Sequence, residues 1–244
     1  MIQDPLPVEP PRYRWTVIDL VAFAVFFLAA LLIVQLAFFY AVKAFGPRLQ
    51  GSVVAAVVAQ GVIDSIVVVF IFFLVRVVHG FSFKETIHWN RHYNYTSGTL
   101  MGLGVMLALS VALTSTLFPQ ADQTPIEKLL SSAKSLYIFA VFGILIAPLF
   151  EEIIFRGFLF KVFSDMRGPG LAVPATALLF SSLHALQLWG NWAAVLLIFA
   201  VGFILAVIRE RSNSLIPGLI VHTAYNSTLF GMYALGTLVQ SLKH

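Results

Sequence analysis

Two adjacent carboxylates and a guanidinium lie within six residues of a long apolar run. Glu151 and Glu152 follow Pro148, and Arg156 comes four residues after Glu152. In a helix this spacing places Glu152 and Arg156 on one face, in the favourable acid-first order, while Glu151 is turned about 100° away. We therefore expect Arg156 to neutralise Glu152, Glu151 to face a different environment, and Pro148 to kink the helix just before them. The alternative is a structural ion cluster that ties helices together.

Two histidines and an asparagine lie in later apolar segments. His184 ends the sequence Phe180-Ser-Ser-Leu-His184, and His222 precedes Asn226 by four residues, so that these two share a helix face. At a rise of about 1.5 Å per residue, all three and Glu151 lie roughly 8–15 Å from the same predicted membrane surface. A lone histidine in an apolar helix is most often a hydrogen-bonded packing residue. Two of them beside a glutamate pair weaken that interpretation.

The chemistry open to this set is hydrolysis of a carbonyl compound. A carboxylate and an imidazole in a low-dielectric pocket can bind and deprotonate a water molecule, and a second histidine and an amide can donate to an oxyanion. A serine nucleophile is disfavoured, because no nucleophile-elbow glycines surround Ser181 and Ser182. We expect no cofactor. Zinc stays open as an alternative, with Glu151, His184 and His222 as its ligands, although HExxH is absent.

Three motifs on successive late segments carry a family resemblance. They are Glu151-Glu152-xxx-Arg156, Phe180-xxx-His184 and His222-xxx-Asn226. Together they resemble the CAAX-protease and bacteriocin-processing (CPBP, or Abi) intramembrane proteases. The resemblance implies that Glu151 and His184 activate the attacking water, that His222 and Asn226 stabilise the oxyanion, and that Glu152 and Arg156 support them.

The predicted function is that of an intramembrane endopeptidase. It would cut near the C-terminus of a membrane-associated, prenylated or unprenylated, protein or peptide. One alternative is a non-catalytic scaffold or bacteriocin self-immunity protein of the same fold. A weaker alternative is a proton-coupled transporter, for which Glu151 would be the proton site.

Composition restricts the protein class. Of 244 residues, 59% are hydrophobic and only 11% are charged, and the mean hydropathy is +0.92. Several runs reach the roughly 20 apolar residues that span a bilayer. We therefore expect an all-α, polytopic membrane protein of about seven transmembrane helices, with the polar site among the later ones. A formal charge of +4 gives no indication of nucleic acid, and we expect the lipid bilayer and the substrate as partners.

The predicted organisation is an irregular tail at residues 1–14 and one transmembrane domain at 15–244, with a motif-bearing core at about 136–240. The predicted spans are 15–45, 53–78, 96–118, 136–163, 174–188, a sixth ending near 208, and 217–239, with a loop at 209–214. An odd number of spans puts the termini on opposite sides of the membrane. Nine basic residues then lie on the N-terminal side, and five on the other: Arg12, Arg14, Arg76, Lys84, Arg91, Lys161, Arg167, Arg209 and Arg211 against Lys43, Arg48, Lys128, Lys134 and Lys243. This bias predicts a cytoplasmic N-terminus, and we expect a bacterial plasma membrane.

Other polar and small residues in the early spans are expected to serve packing. Gln60 and Asp64 share a face of the second span, which predicts hydrogen bonds to other helices. Gly98, Gly102 and Gly104 of the third span are expected at close helix contacts.

Overall fold

The computed structural model describes residues 15–49, 51–118 and 133–242, and these residues form helices and no strand. The eight helices are α1 (Val17–Phe45), α2 (Val53–Phe73), α3 (Phe83–Thr86), α4 (Ser97–Ser115), α5 (residues 133–167), α6 (Pro169–His184), α7 (Trp192–Ser212) and α8 (Ile216–Ser241). The all-α prediction is confirmed. The predicted tail at 1–14 and most of the polar loop before α5 lie outside the described residues.

Five of the described helices are long and apolar enough to cross a membrane. They are Val17–Phe45, Val53–Val78, Ser97–Ser115, Lys134–Arg167 and Trp192–Ser212. The protein is therefore a multi-pass integral membrane protein. The 16-residue α6 and the 26-residue α8 are not among the five, so the count of seven spans stays a prediction.

Side-chain caps explain where several helices begin. Thr16 and Asp19 form a reciprocal capping box at α1, which satisfies two backbone N–H groups at once. Ser52, Thr96 and Asn191 each accept from a backbone N–H in the first turn of α2, α4 and α7.

Two predicted boundaries are wrong. Helix α6 covers Pro169–His184 rather than 174–188. Gly168, at φ 81°, ends the preceding helix, and Pro169 begins the new one. His184 therefore ends its helix instead of lying inside it. Helix α7 continues to Ser212, so the predicted loop at 209–214 is largely helical and Arg209 is buried within it.

Helix α5 does not break at Pro148 but changes its hydrogen-bond register. Pro148 has no amide to donate, and the turn before it, Phe142–Ile146, is π-helical, with the amide of Ala147 bonded to the carbonyl of Phe142. A second π-helical stretch, Glu152–Leu159, begins after the α-helical residues Ala147–Glu151 and is buried throughout. Such wide turns are rare and often mark functional sites. Here they lie on both sides of Glu151.

Close backbone contact fixes α4 against α8. A Cβ on Gly104 would lie 2.5 Å from the carbonyl oxygen of Val221 and 2.7 Å from the Cβ of Ala224, so only glycine permits this approach. Gly98 and Gly102 have no such contact, and the packing prediction holds for Gly104 alone. Helix α6 packs on α7 and on the end of α5, while α1 packs on α2. These contacts bring α5, α6, α7 and α8 together around the glutamates.

Candidate active site

His222 of α8 lies between the two glutamates of α5. Its Nδ1 is 3.1 Å from Glu152 Oε1 and its Nε2 is 3.5 Å from Glu151 Oε2. A neutral imidazole carries one N–H, so both contacts are hydrogen bonds only when these three side chains share an additional proton. The Glu152 side chain is fully buried, whereas that of Glu151 is 22% exposed. The two glutamates therefore occupy the different environments that their helical offset predicts.

The predicted ion pair between Glu152 and Arg156 is present. Arg156 Nη1 lies 3.2 Å from Glu152 Oε1, and neither side chain has any exposed surface. Arg156 Nη2 also donates to the carbonyl of Gly202 on α7, at 3.1 Å. Its guanidinium stacks over the Phe180 ring of α6, at 4.4 Å. Arg156 thus connects three helices as well as neutralising a carboxylate.

Arg209 also belongs to this cluster, which the sequence alone did not predict. Its side chain is 2% exposed, and its Nε donates to the carbonyl of Arg156 at 3.0 Å. Its guanidinium also lies 5.3 Å from the Phe160 ring centre. Arg209 therefore joins α7 to the π-helical stretch of α5 through a side-chain to backbone hydrogen bond. No signal in the sequence separates Arg209 from the other arginine of the same segment, Arg211.

His184 reaches this region through Phe180. Its Nδ1 lies 2.9 Å from the Phe180 carbonyl oxygen. A carbonyl only accepts, so Nδ1 carries the hydrogen and Nε2 keeps its lone pair in the neutral ring. The Phe180 ring packs against the rings of His184 at 4.6 Å and His222 at 5.9 Å. Within the described residues no hydrogen bond or ion pair joins His184 to Glu151.

Asn226 contacts the backbone of α5 rather than a side chain. Its Nδ2 donates to the carbonyl of Gly143 at 2.7 Å, inside the first π-helical turn. The amide carries a second N–H, which makes no hydrogen bond within the described residues and can donate to another acceptor. Asn226 therefore holds the widened turn that precedes Glu151.

Asp64 of α2 is a further acidic group near the cluster. The expected hydrogen bonds to other helices are wrong for this pair, because Gln60 Nε2 donates to Asp64 Oδ1 within α2, at 2.8 Å. Asp64 is 5% exposed, and its Oδ2 has no hydrogen-bond partner among the described residues. The feature of the sequence that could have indicated a role for Asp64 beyond packing is an aspartate inside an apolar segment.

The residues described do not gather into a metal site. Across the described ranges, no three His, Asp or Glu side chains form a group that could hold a metal ion. The zinc alternative of Glu151, His184 and His222 is therefore not assembled in this arrangement.

The fold and the cluster together define a multi-pass helical membrane protein in which three helices, α5, α7 and α8, contribute buried Glu, His and Arg side chains. Residues 133–228 match the family model described as Rce1-like, type II CAAX prenyl endopeptidase. This match confirms the predicted family resemblance, and all six predicted site residues lie inside the matched segment. The family suggests a protease-like enzyme of the CAAX type. No curated protein and no solved structure matches the chain.

Proposed function

We propose that this protein is an intramembrane endopeptidase that hydrolyses a peptide bond near the C-terminus of a membrane-associated protein or peptide, including prenylated ones. The observation that carries the proposal is the contrast between the two glutamates. Glu152 is closed off by Arg156 and His222, while Glu151, at 22% exposure, remains accessible beside them. A site with one accessible carboxylate on a buried, charge-compensated support suits general base chemistry.

In the proposed reaction, Glu151 acts with His184 on a water molecule. The carboxylate takes a proton, the water oxygen attacks the carbonyl carbon, and a tetrahedral oxyanion forms. The retained proton then passes to the leaving amine as the C–N bond breaks. The tautomer of His184 supports this role, because its Nε2 lone pair is uncommitted once Nδ1 donates to Phe180. The 3.5 Å separation of Glu151 from His222 is long for a hydrogen bond. The carboxylate therefore loses only a weak interaction when it binds the water molecule instead.

The oxyanion would be stabilised by His222 and Asn226. Asn226 has one N–H on the Gly143 carbonyl and a second one to offer. With the additional proton on Nε2, His222 would donate to the oxyanion in place of Glu151, since both are negatively charged acceptors. Glu152 and Arg156 support the site by holding His222 and the helix beneath it.

One observation favours the second candidate, a non-catalytic scaffold or self-immunity protein. His222 and Asn226 already join α8 to α5, and no contact joins Glu151 to His184 among the described residues. A cluster used only for helix packing would have these properties too. Turnover is what separates the two candidates.

The test is peptidase activity of the purified full chain in detergent against lipidated and unlipidated peptides. Glu151→Gln should lower the rate at least about 10²-fold, the low end for a general base, and mass spectrometry should locate the cut near the peptide C-terminus. Glu210→Gln, at an exposed glutamate, is the matched control and should retain activity. A wild-type protein inert on every peptide, with biological function surviving Glu151→Ala, would support the scaffold.

We also propose a bacterial plasma membrane with the N-terminus in the cytoplasm. Lys and Arg remain in excess on that side, at eight against five once the buried Arg209 is left out, and this supports the orientation. Because the chain has no cysteine, a single cysteine placed in the tail at 1–14 can be labelled without background. A membrane-impermeant maleimide should reach it in inverted vesicles and not in intact cells. Labelling in intact cells would reverse the orientation.

A further inference from the structure

An apolar cleft of about 500 Å³ runs between α4 and α7. Its walls include Leu103 of α4 with Phe203 and Ile204 of α7. Leu103 is 38% exposed and Phe203 is 39% exposed, so the cleft opens onto the outer surface of the helix bundle. None of the residues assigned to the active site lines it. The cleft is a separate feature that the proposed peptidase chemistry does not use.

The packing of α4 explains why the cleft exists. Gly104 draws α4 closely against α8, and α4 meets α7 over a much shorter stretch. The base of the cleft is closed by Leu100, which is 3% exposed and packs in one cluster with Leu205. A cleft with a packed base, apolar walls and an open outer side faces the hydrocarbon of the bilayer.

The positively charged side chain of Arg211 lies at one end of this cleft. Helix α4 begins at Ser97 and α7 ends at Ser212, so Tyr95 and Arg211, which both line the cleft, lie at the same end. Arg211 is exposed, and in the part of the chain that is described it makes no hydrogen bond or ion pair. Arg209, two residues earlier, is buried and bonded to the Arg156 carbonyl. Tyrosine and arginine at this position are typical of the membrane–water interface.

We propose that this cleft binds an anionic phospholipid, with one acyl chain between α4 and α7 and the headgroup phosphate on Arg211. A chain moving from bilayer hydrocarbon into an apolar cleft gains little, because both surroundings are equally apolar. Selectivity among lipids must then come from the headgroup. A guanidinium presents paired N–H donors that match a phosphate, and Arg211 has no competing carboxylate partner among the described residues.

The expected preference is about fivefold for an anionic over a zwitterionic lipid with identical chains, the ratio that corresponds to ~1 kcal/mol for one basic residue at a membrane surface. Native mass spectrometry of the full chain in neutral detergent, titrated with phosphatidylglycerol or phosphatidylcholine, measures it. Arg211→Gln should abolish the preference, and Arg211→Lys should keep most of it. Arg167→Gln, at another exposed arginine, should bind like the wild type.

A second pair of variants tests the cleft itself. Leu103→Trp fills the cleft and should reduce phosphatidylglycerol binding, whereas Leu113→Trp, on the same helix but outside the cleft and 71% exposed, should not. Both side chains are on the outer surface, so both variants should fold, and melting curves check this. Equal binding of the two lipids, or full preference in Arg211→Gln, overturns the proposal. Displacement of lipid by a prenyl chain to the same extent in wild type and Arg211→Gln would assign the cleft to an uncharged tail instead.

Discussion

Gly218 of α8 lies directly against the carboxylate of Glu152 on α5. A Cβ at position 218 would be 2.8 Å from Glu152 Oε2. That oxygen is buried and has no hydrogen-bond partner among the described residues. The other oxygen, Oε1, faces both His222 and Arg156. The missing side chain at 218 is therefore what allows α8 to place His222 on Glu152.

Gly218→Ala should disturb the active site through this contact. The added methyl would displace the Glu152 carboxylate, at a cost of about 1–3 kcal/mol for overpacking, and activity per folded molecule should fall with it. Gly231→Ala is the matched control, because it lies on the same helix with nothing within 4 Å of its Cβ position and should stabilise the helix slightly. Melting temperature and turnover are measured on both. Equal stability of the two variants would show that the contact has no energetic consequence.

Arg156→Ala should affect folding at least as much as catalysis. It leaves Glu152 buried without its cation and removes the bond to the Gly202 carbonyl, which should cost about 3–5 kcal/mol. Glu151→Gln is nearly isosteric at a partly exposed position, so it should keep the wild-type melting temperature while losing turnover. An unfolded Glu151→Gln beside a stable, inactive Arg156→Ala would reverse the assigned roles.

Exhaustive chelation should leave peptidase activity unchanged. The described residues assemble no group of three metal ligands, and the proposed water activation uses Glu151 and His184. Elemental analysis should therefore find no stoichiometric zinc. One zinc per chain, with activity lost on its removal and restored on its addition, would contradict this prediction.

Asp64→Asn should stabilise the protein while lowering its activity. The amide oxygen can still accept from Gln60, but the buried carboxylate, and with it any part that Asp64 takes in proton transfer, is gone. Since burying an amide costs less than burying a carboxylate, we expect an increase of about 1 kcal/mol in the free energy of unfolding. Asp64→Ala should instead destabilise, because it leaves Gln60 without its partner. If Asp64→Asn lowers stability and keeps full activity, the carboxylate serves only the fold.

His88 should make stability depend on pH. The pKa of His88 is lowered from 6.5 to about 4, first by burial and then by the charges of Arg209 and Lys161, against smaller opposing effects of a backbone bond to Asn213 and of Asp165. Because the unfolded chain binds this proton more readily, stability is complete above about pH 6.5 and falls as the pH drops towards 4.

The variant His88→Asn should remove this part of the pH dependence. Asparagine is the chosen replacement because residue 88 has φ 54°, a conformation that asparagine tolerates. Melting temperatures between pH 7.5 and 4.5 are compared among wild type, His88→Asn and the exposed control His92→Asn. Identical dependence of melting temperature on pH in wild type and His88→Asn would contradict the prediction.

The sequence by itself determined the class of protein, the candidate residues and the Glu152–Arg156 pair. Apolar length fixes helices that cross a bilayer, since backbone groups in hydrocarbon must bond within their own helix. The pair follows from four-residue spacing alone. The motif segment also carried the family resemblance, because those motifs are local patterns in the chain.

The tertiary structure decided which partners these residues have. That His222 contacts both glutamates depends on how closely α8 approaches α5, which Gly218 sets. The burial of Arg209 depends on how closely α7 packs on the π-helical stretch of α5, where the Arg156 carbonyl accepts its hydrogen bond, and no spacing rule for an ordinary α-helix predicts that stretch. Contacts between residues distant in sequence are fixed by helix packing, and periodicity along one helix carries no information about which neighbour it meets.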